Sequence, residues 1–347
     1  MADISELCDV LAVVLRGWSV TDSIEECVVE GLRDEPGFHW SNPGVYSVAF
    51  QAGGKQYRCV MKRLGQHSKR EVPIYRFLSA FTEFPMPKLY YAMFDDVSED
   101  YWFLIEQCVA YPSATQASVF WEQVGRLLGH IHGRFWGRAD SLPRVFHLRR
   151  PRETPRCLLD ALLTDVKSLD GRSAEIVRQE IGLSSQVTFS ASARADGEFS
   201  VVKSSSVKCL VHGAFHAPEI MWRLVSGKYD PVAVDWEKSR VGWPEDDLAV
   251  CGSLLAEGRE ELASILMQTY FTSLSSYEVC PDCNVILEAS REAGLALKLK
   301  TSRWILRQYL KMREEESYGE WLRWAREELR LSLEWVSDEM GIARLIA

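Results

Sequence analysis

Two runs of alternating apolar and polar residues, Val45–Gln51 and Gln56–Lys62, flank the glycine turn Gly53-Gly54-Lys55. Alternation places successive side chains on opposite faces, so both runs predict strands. With Gly37-Phe-His-Trp40 ahead of the turn Ser41-Asn-Pro-Gly44, they predict a three-strand meander with Lys62 closing its last strand. The period then changes. Val72, Tyr75 and Leu78 fall on one face of a helix over Ser68–Leu78, in which Pro73 is tolerated because it lies near the start. Pro85–Ala92 and Trp102–Cys108 return to strand character. From Ala117 onward the chain is mostly helical, with Phe120, Val124, Leu127, Leu128 and Ile131 at helical intervals. Beyond Leu254 the pattern is helical and amphipathic. It ends in 314–340, where Trp321, Trp324, Leu331 and Trp335 form a stripe that reads first as core and second as a partner-binding face. At the other end, Asp3–Arg16 is an amphipathic helix candidate. A second helix is expected after Ser19, with Asp22 three residues on as a capping box. The serine-rich stretch 184–206, with its Asp196-Gly197 turn signal, is a loop or hairpin.

Within the helical part, two segments carry chemistry. Val232-Ala-Val234 is a short buried-strand pattern after the turn-like Gly227–Pro231, and it ends in Asp235 with Glu237 two residues on. One or two carboxylates at a strand end suit Mg²⁺, which fills its remaining positions with water and phosphate oxygens. Upstream, His212-Gly-Ala-Phe-His-Ala-Pro-Glu219 forms a loop between the apolar stretches Cys209–Val211 and Ile220–Trp222. One loop to orient an attacking hydroxyl and one strand end to hold metal are a sufficient minimum for phosphoryl transfer, which depends on positioning and charge neutralisation. Either segment alone is equally well explained by turn carboxylates and a core histidine. Their order and separation favour the chemical reading.

In these segments the chain resembles the aminoglycoside phosphotransferase and choline kinase-like family, which has a protein-kinase-like fold. That family's catalytic loop reads His-Gly-Asp-x-His-x-x-Asn, its metal strand ends in Asp-Trp-Glu, and a Gly and an Asp-Leu-Ala follow. This chain has His212-Gly213-Ala214-Phe215-His216-Ala217-Pro218-Glu219, then Asp235-Trp236-Glu237, Gly242 and Asp247-Leu248-Ala249. It departs at two positions. Ala214 stands where the resemblance implies the catalytic Asp, and Glu219 where it implies a metal-binding Asn. A carboxylate can still bind Mg²⁺, but no alanine can accept a proton.

The resemblance implies an α+β, bilobal fold, with a small, mainly antiparallel β N-lobe over residues 1–108 and a larger helical C-lobe over 109–347. It implies ATP and Mg²⁺ as cofactors. Ser41 and Asn42 would form the phosphate-covering turn, Lys62 would contact the α- and β-phosphates with Glu71 as its partner, and Glu106, Gln107 and Cys108 would form the adenine hinge. Glu219, Asp235 and Glu237 would hold metal, while His212, Ala214 and His216 mark the catalytic loop. A lone lysine at a strand end is ordinarily solvated, and it is this context that reverses the reading of Lys62. The implied function is transfer of the γ-phosphoryl group of ATP to a hydroxyl of a small molecule or peptide, weakened or abolished by Ala214. The alternative is a pseudokinase that binds a nucleotide, a peptide or a partner enzyme.

Composition narrows the partners. A net charge of −9 argues against a nucleic-acid surface. No apolar run is long enough to span a membrane, and no signal-peptide layout opens the chain, so no membrane partner is expected. Nine scattered cysteines, an odd number, fit a reducing cytoplasm. Cys280-Pro-Asp-Cys283 lacks a second pair and reads as structural, and His130 and His132, two apart on a helix, read the same way.

Overall fold

The computed structural model describes residues 24–31, 45–52, 55–64, 70–95, 100–110, 116–148, 153–181, 188–189, 207–225, 228–312, 318–340 and 342–343. By internal packing the chain divides into two units. The first comprises 1–116, 140–148 and 212–241; the second comprises 117–139, 149–211 and 242–347.

The first unit is built on an antiparallel sheet of β1 (Ile24–Gly31), β2 (Val45–Ala52), β3 (Lys55–Leu64), β4 (Leu89–Asp95) and β5 (Asp100–Glu106), in the order β1-β2-β3-β5-β4. β2 and β3 are the two alternating runs. Val48, Phe50, Cys59 and Met61 supply buried side chains, as the period of two requires. β1 is a correction. The chain after Ser19 was expected to form a helix, yet Ile24–Gly31 pairs with β2 along its length. Its Cys27-Val28-Val29 run prefers the pleated, half-buried surface that a neighbouring strand offers, and this outweighs a local capping signal. Ser19, Asp22, the Asp3–Arg16 helix, the Gly37–Trp40 strand, the Ser41–Gly44 turn with Ser41 and Asn42, Gly53, Gly54 and the Asp196-Gly197 turn lie outside the described residues, whereas Lys228–Pro231, read as turn-like, is strand because it pairs with Trp222–Val225.

Among the described residues, helix α1 (Glu71–Leu78) packs on this unit. Val72, Tyr75 and Leu78 are buried as their spacing predicts, with Ile74 beside them and Pro73 in the first turn. The hairpin Ile220–Val225/Lys228–Ala233 completes the unit. Val109 exchanges both backbone hydrogen bonds with Trp222 at its edge.

Helices α2 (Ala117–Phe135), α3 (Pro155–Lys167), α4 (Gly171–Ile176), α5 (Glu245–Ala256), α6 (Glu260–Ser275), α7 (Cys283–Met312) and α8 (Gly319–Met340) dominate the second unit. α2 and α6 touch backbone to backbone along a face of small residues. A Cβ on Gly125 would lie 2.4 Å from the Leu266 carbonyl, and one on Gly129 would lie 2.5 Å from Ser273 Cβ. His132, fully buried, joins Tyr270 Oη (3.1 Å) to Asp247 Oδ2 (3.2 Å), and His130 contacts Tyr277 Oη. Both histidines therefore serve packing. On α8 the core face is Ala325, Leu329, Leu333, Val336 and Met340. The tryptophan stripe is not core as a set: Trp321 and Trp335 only flank it, and Trp324 and Leu331 are exposed. The seven cysteines whose side chains are described are free, and among the described residues no helix is long and apolar enough to cross a membrane.

Candidate active site

The site residues described here all belong to the first unit. Lys62 lies near the end of β3, where it pairs with Val45 on β2 and Phe103 on β5. Its Nζ is 2.9 Å from Glu71 Oε1, 3.8 Å from Asp235 Oδ1 and 5.5 Å above the centre of the Phe103 ring. Glu71 is the first residue of α1 and is buried. Burial opposes its ionisation and pushes its pKa up to about 7, although Lys62 acts in the other direction. For Lys62, burial alone would favour the neutral amine. The Glu71, Asp235 and Glu219 charges and the Glu71 hydrogen bond outweigh it, so its pKa is raised. The lysine thus stays cationic.

Asp235 adopts left-handed backbone angles, φ 62° and ψ 59°. A non-glycine residue there carries strain of about 1–3 kcal/mol, which persists only where surrounding contacts fix it. Trp236 Nε1–H donates to the Ala233 carbonyl (2.7 Å) and the Ser239 N–H to the Trp236 carbonyl (3.0 Å), closing the turn that follows.

The His212–Glu219 loop is tied to the same place. His212 is buried, with Nε2–H donating to the Val234 carbonyl at 2.7 Å and its ring set edge-on to Trp236 and Phe215. That bond sets its tautomer and makes it a brace between loop and strand. Gly213 has φ 82°, and a Cβ there would lie 2.4 Å from the Lys238 carbonyl, so the turn requires glycine. Ala217–Glu219 forms a short 3₁₀ turn with Pro218 at its second position, and the Val234 N–H donates to the Glu219 carbonyl (2.9 Å). This holds Glu219 beside the Asp235 strand. Burial and the Asp235 charge push the Glu219 carboxyl up to about 8. His216 Nδ1 lies 3.8 Å from Glu219 Oε1; burial, His212 and Lys238 lower the pKa of this imidazole. Glu237 lies within 3.8 Å of Lys238. Ala214 presents only a methyl group.

At the end of β5, the Glu106 carboxylate accepts hydrogen bonds from the Lys88 N–H (3.1 Å) and Arg223 Nε (2.8 Å), so its side chain anchors the strand to the hairpin. Gln107 Nε2 reaches Ser47 Oγ at 3.4 Å. The N–H groups of Glu106, Gln107 and Val109 donate to Lys88, Arg58 and Trp222 carbonyls. Among the described residues the Cys108 N–H makes no backbone hydrogen bond. The Cys108 thiol is pushed up to about 12, first by burial and then by Glu106. The structure thus gathers Lys62, Glu71, Glu219 and Asp235, with His212 and His216 on the adjoining loop. Glu106 and Gln107 turn their side chains to structural partners. Two participants escaped the sequence reading, Arg70 and Arg223, because their partners are carbonyls and a carboxylate far along the chain, which leave no local signal.

Among the described residues, no three His, Cys, Asp or Glu side chains converge to cage a metal ion. Two mutually repelling acids, Glu219 and Asp235, nevertheless suit a cation that takes few protein ligands.

A model of the phosphotransferase enzyme family matches residues 40–280, more than half of the sequence. The chain belongs to this family. A putative aminoglycoside phosphotransferase from Ralstonia eutropha superposes with a TM-score of 0.53 at 13% identity, covering 94% of this chain and 98% of that one. Spectinomycin phosphotransferase, solved with ADP and spectinomycin, gives 0.52 at 15%, covering 92% and 94%. At such identities the likeness is one of fold, the kinase-like α+β arrangement expected of a phosphotransferase. A comparison with curated protein sequences finds no match.

Proposed function

We propose that this phosphotransferase family member binds ATP with Mg²⁺ and transfers the γ-phosphoryl group to a hydroxyl of a small molecule or peptide, at a rate reduced by Ala214. The observation that carries this reading is the partly buried Lys62–Glu71 pair with Asp235 3.8 Å from the same ammonium group. Such a constellation keeps one cation and one acid fixed where phosphates need both. Lys62 neutralises phosphate charge and Glu71 aims it. The Cys108 N–H is the hinge donor left for a base edge. Asp235 and Glu219, with Glu237 nearby, would hold Mg²⁺, which supplies charge neutralisation on the phosphate oxygens. His212 positions the loop, and His216 is a neutral imidazole at pH 7 facing Glu219. The small-molecule alternative is supported by structural neighbours such as spectinomycin phosphotransferase, solved with ADP and spectinomycin. The free thiols fit a cytoplasmic setting.

What the loop lacks is a carboxylate base at position 214. General-base catalysis contributes about 10²–10⁴ in rate, so loss of the acid at position 214 leaves binding and slow transfer. The second reading, a pseudokinase that holds nucleotide, peptide or a partner enzyme, draws on Glu219 as a second departure in the same loop. Ala214→Asp separates them. Faster ATP-dependent phosphorylation across a panel of amino sugars, amino alcohols and serine peptides supports the enzyme. An Asp variant that binds ATP but modifies nothing in the panel supports the scaffold.

A further inference from the structure

Arg70 and Glu71 leave the same turn in different directions. Glu71 reaches Lys62, while the Arg70 guanidinium gathers three carbonyl oxygens. Nη1–H donates to Glu237 (2.6 Å), and Nη2–H donates to Val145 (2.7 Å) and Ser239 (3.1 Å). Glu237 and Ser239 belong to the backbone directly after Asp235, 167 and 169 residues from Arg70 in sequence. Val145 lies in the short 3₁₀ turn Arg144–Phe146, whose Phe146 ring packs against Phe77 of α1. The arrangement is specific to arginine. A planar fork of donors satisfies several carbonyls at once, whereas a lysine offers one point charge.

We propose that Arg70 is a positioning residue of the nucleotide site, locking the Asp235 turn to the helix that carries Glu71 so that Lys62, Glu71 and Asp235 assemble as one unit. This rests on the ATP–Mg²⁺ reading given above. Asp235 sits in a strained conformation, which needs outside support, and the bonds from Trp236 and Ser239 close its turn only from within. Arg70 adds the bond from α1. Because Glu71 is buried and paired, the start of α1 cannot pivot without breaking the Lys62 contact as well.

The test is calorimetric titration of the full chain with ATP, in Mg²⁺ and in EDTA, for wild type, Arg70→Ala and Arg70→Lys. Arg70→Ala should lower affinity for Mg-ATP about tenfold, the order expected from losing charge-assisted hydrogen bonds, while changing affinity in EDTA less than about twofold. Arg70→Lys should fall between the two, which keeps the comparison available if the alanine variant folds poorly. In an Asp235→Asn background, Arg70→Ala should have no further effect on the magnesium-dependent increment. Unchanged Mg-ATP affinity, or equal losses with and without Mg²⁺, overturns the proposal, because equal losses are the pattern of a general packing defect. Wild-type protein that binds ATP without regard to Mg²⁺, or not at all, instead refutes the underlying reading before any variant is made.

Discussion

Replacing Glu219 by glutamine should stabilise the protein, and increasingly so as pH rises. The carboxyl is raised from 4.5 to about 8 by burial first and by the Asp235 charge second. Between those values the folded protein keeps a proton that the unfolded chain has released. Stability from this group is therefore complete below pH 4.5 and is lost as pH climbs to about 8. A shift of about 3.5 units, at about 1.4 kcal/mol each, sets a ceiling near 5 kcal/mol. The side chain is 18% exposed, and Asp235 is 39% exposed, so solvent relaxes both charges. About 2 kcal/mol is the expected loss. Glutamine keeps the shape and cannot ionise. Urea unfolding at pH 4.5, 6.5 and 8.5 would measure it: the two proteins should match at the lowest pH, and the variant should lead by about 2 kcal/mol at the highest. A difference that stays constant with pH refutes the argument that burial beside Asp235 governs this carboxyl. Mg-ATP should narrow the gap at pH 8.5, since a cation between the two acids favours the ionised form of Glu219.

Three further substitutions probe other links. Gly129→Val drives methyl groups into Ser273 at the α2–α6 contact and should destabilise by about 3 kcal/mol or more, whereas Gly171→Ala, in open space, should change stability by less than about 0.5 kcal/mol; equal unfolding midpoints for the two would contradict the close packing. Tyr75 is fully buried, with a hydroxyl that has no hydrogen-bond partner among the described residues, so Tyr75→Phe should raise stability by about 1 kcal/mol in the same urea assay. A lower midpoint would mean that the hydroxyl has a partner in solution.

Much of this was readable in the chain, for identifiable reasons. β2, β3 and α1 follow from period, because each buries one face of a simple element. The Lys62–Glu71 pair follows from a strand end and a helix start that are nine residues apart. β1 was misread, since a capping pattern is local and the pairing of Ile24–Gly31 with β2 is not. The Trp321–Trp335 stripe misled for a different reason: side-chain size suggested core, while the buried positions of α8 went to smaller Ala325, Leu329 and Val336. Arg70 was invisible because carbonyl oxygens carry no sequence signature. Glu106 ends β5 as the strand pattern suggested, and its carboxylate binds Arg223, a distant partner that leaves no local signal.

The most direct measurement is a calorimetric titration of the wild-type chain with ATP, first in Mg²⁺ and then in EDTA, with Lys62→Ala as the paired control. Binding that strengthens with Mg²⁺ and disappears with the lysine is the predicted result, and it would make Ala214 a single lesion in a working nucleotide site. No heat of binding in either condition, or binding indifferent to Lys62, would contradict the assignment of this cluster to ATP.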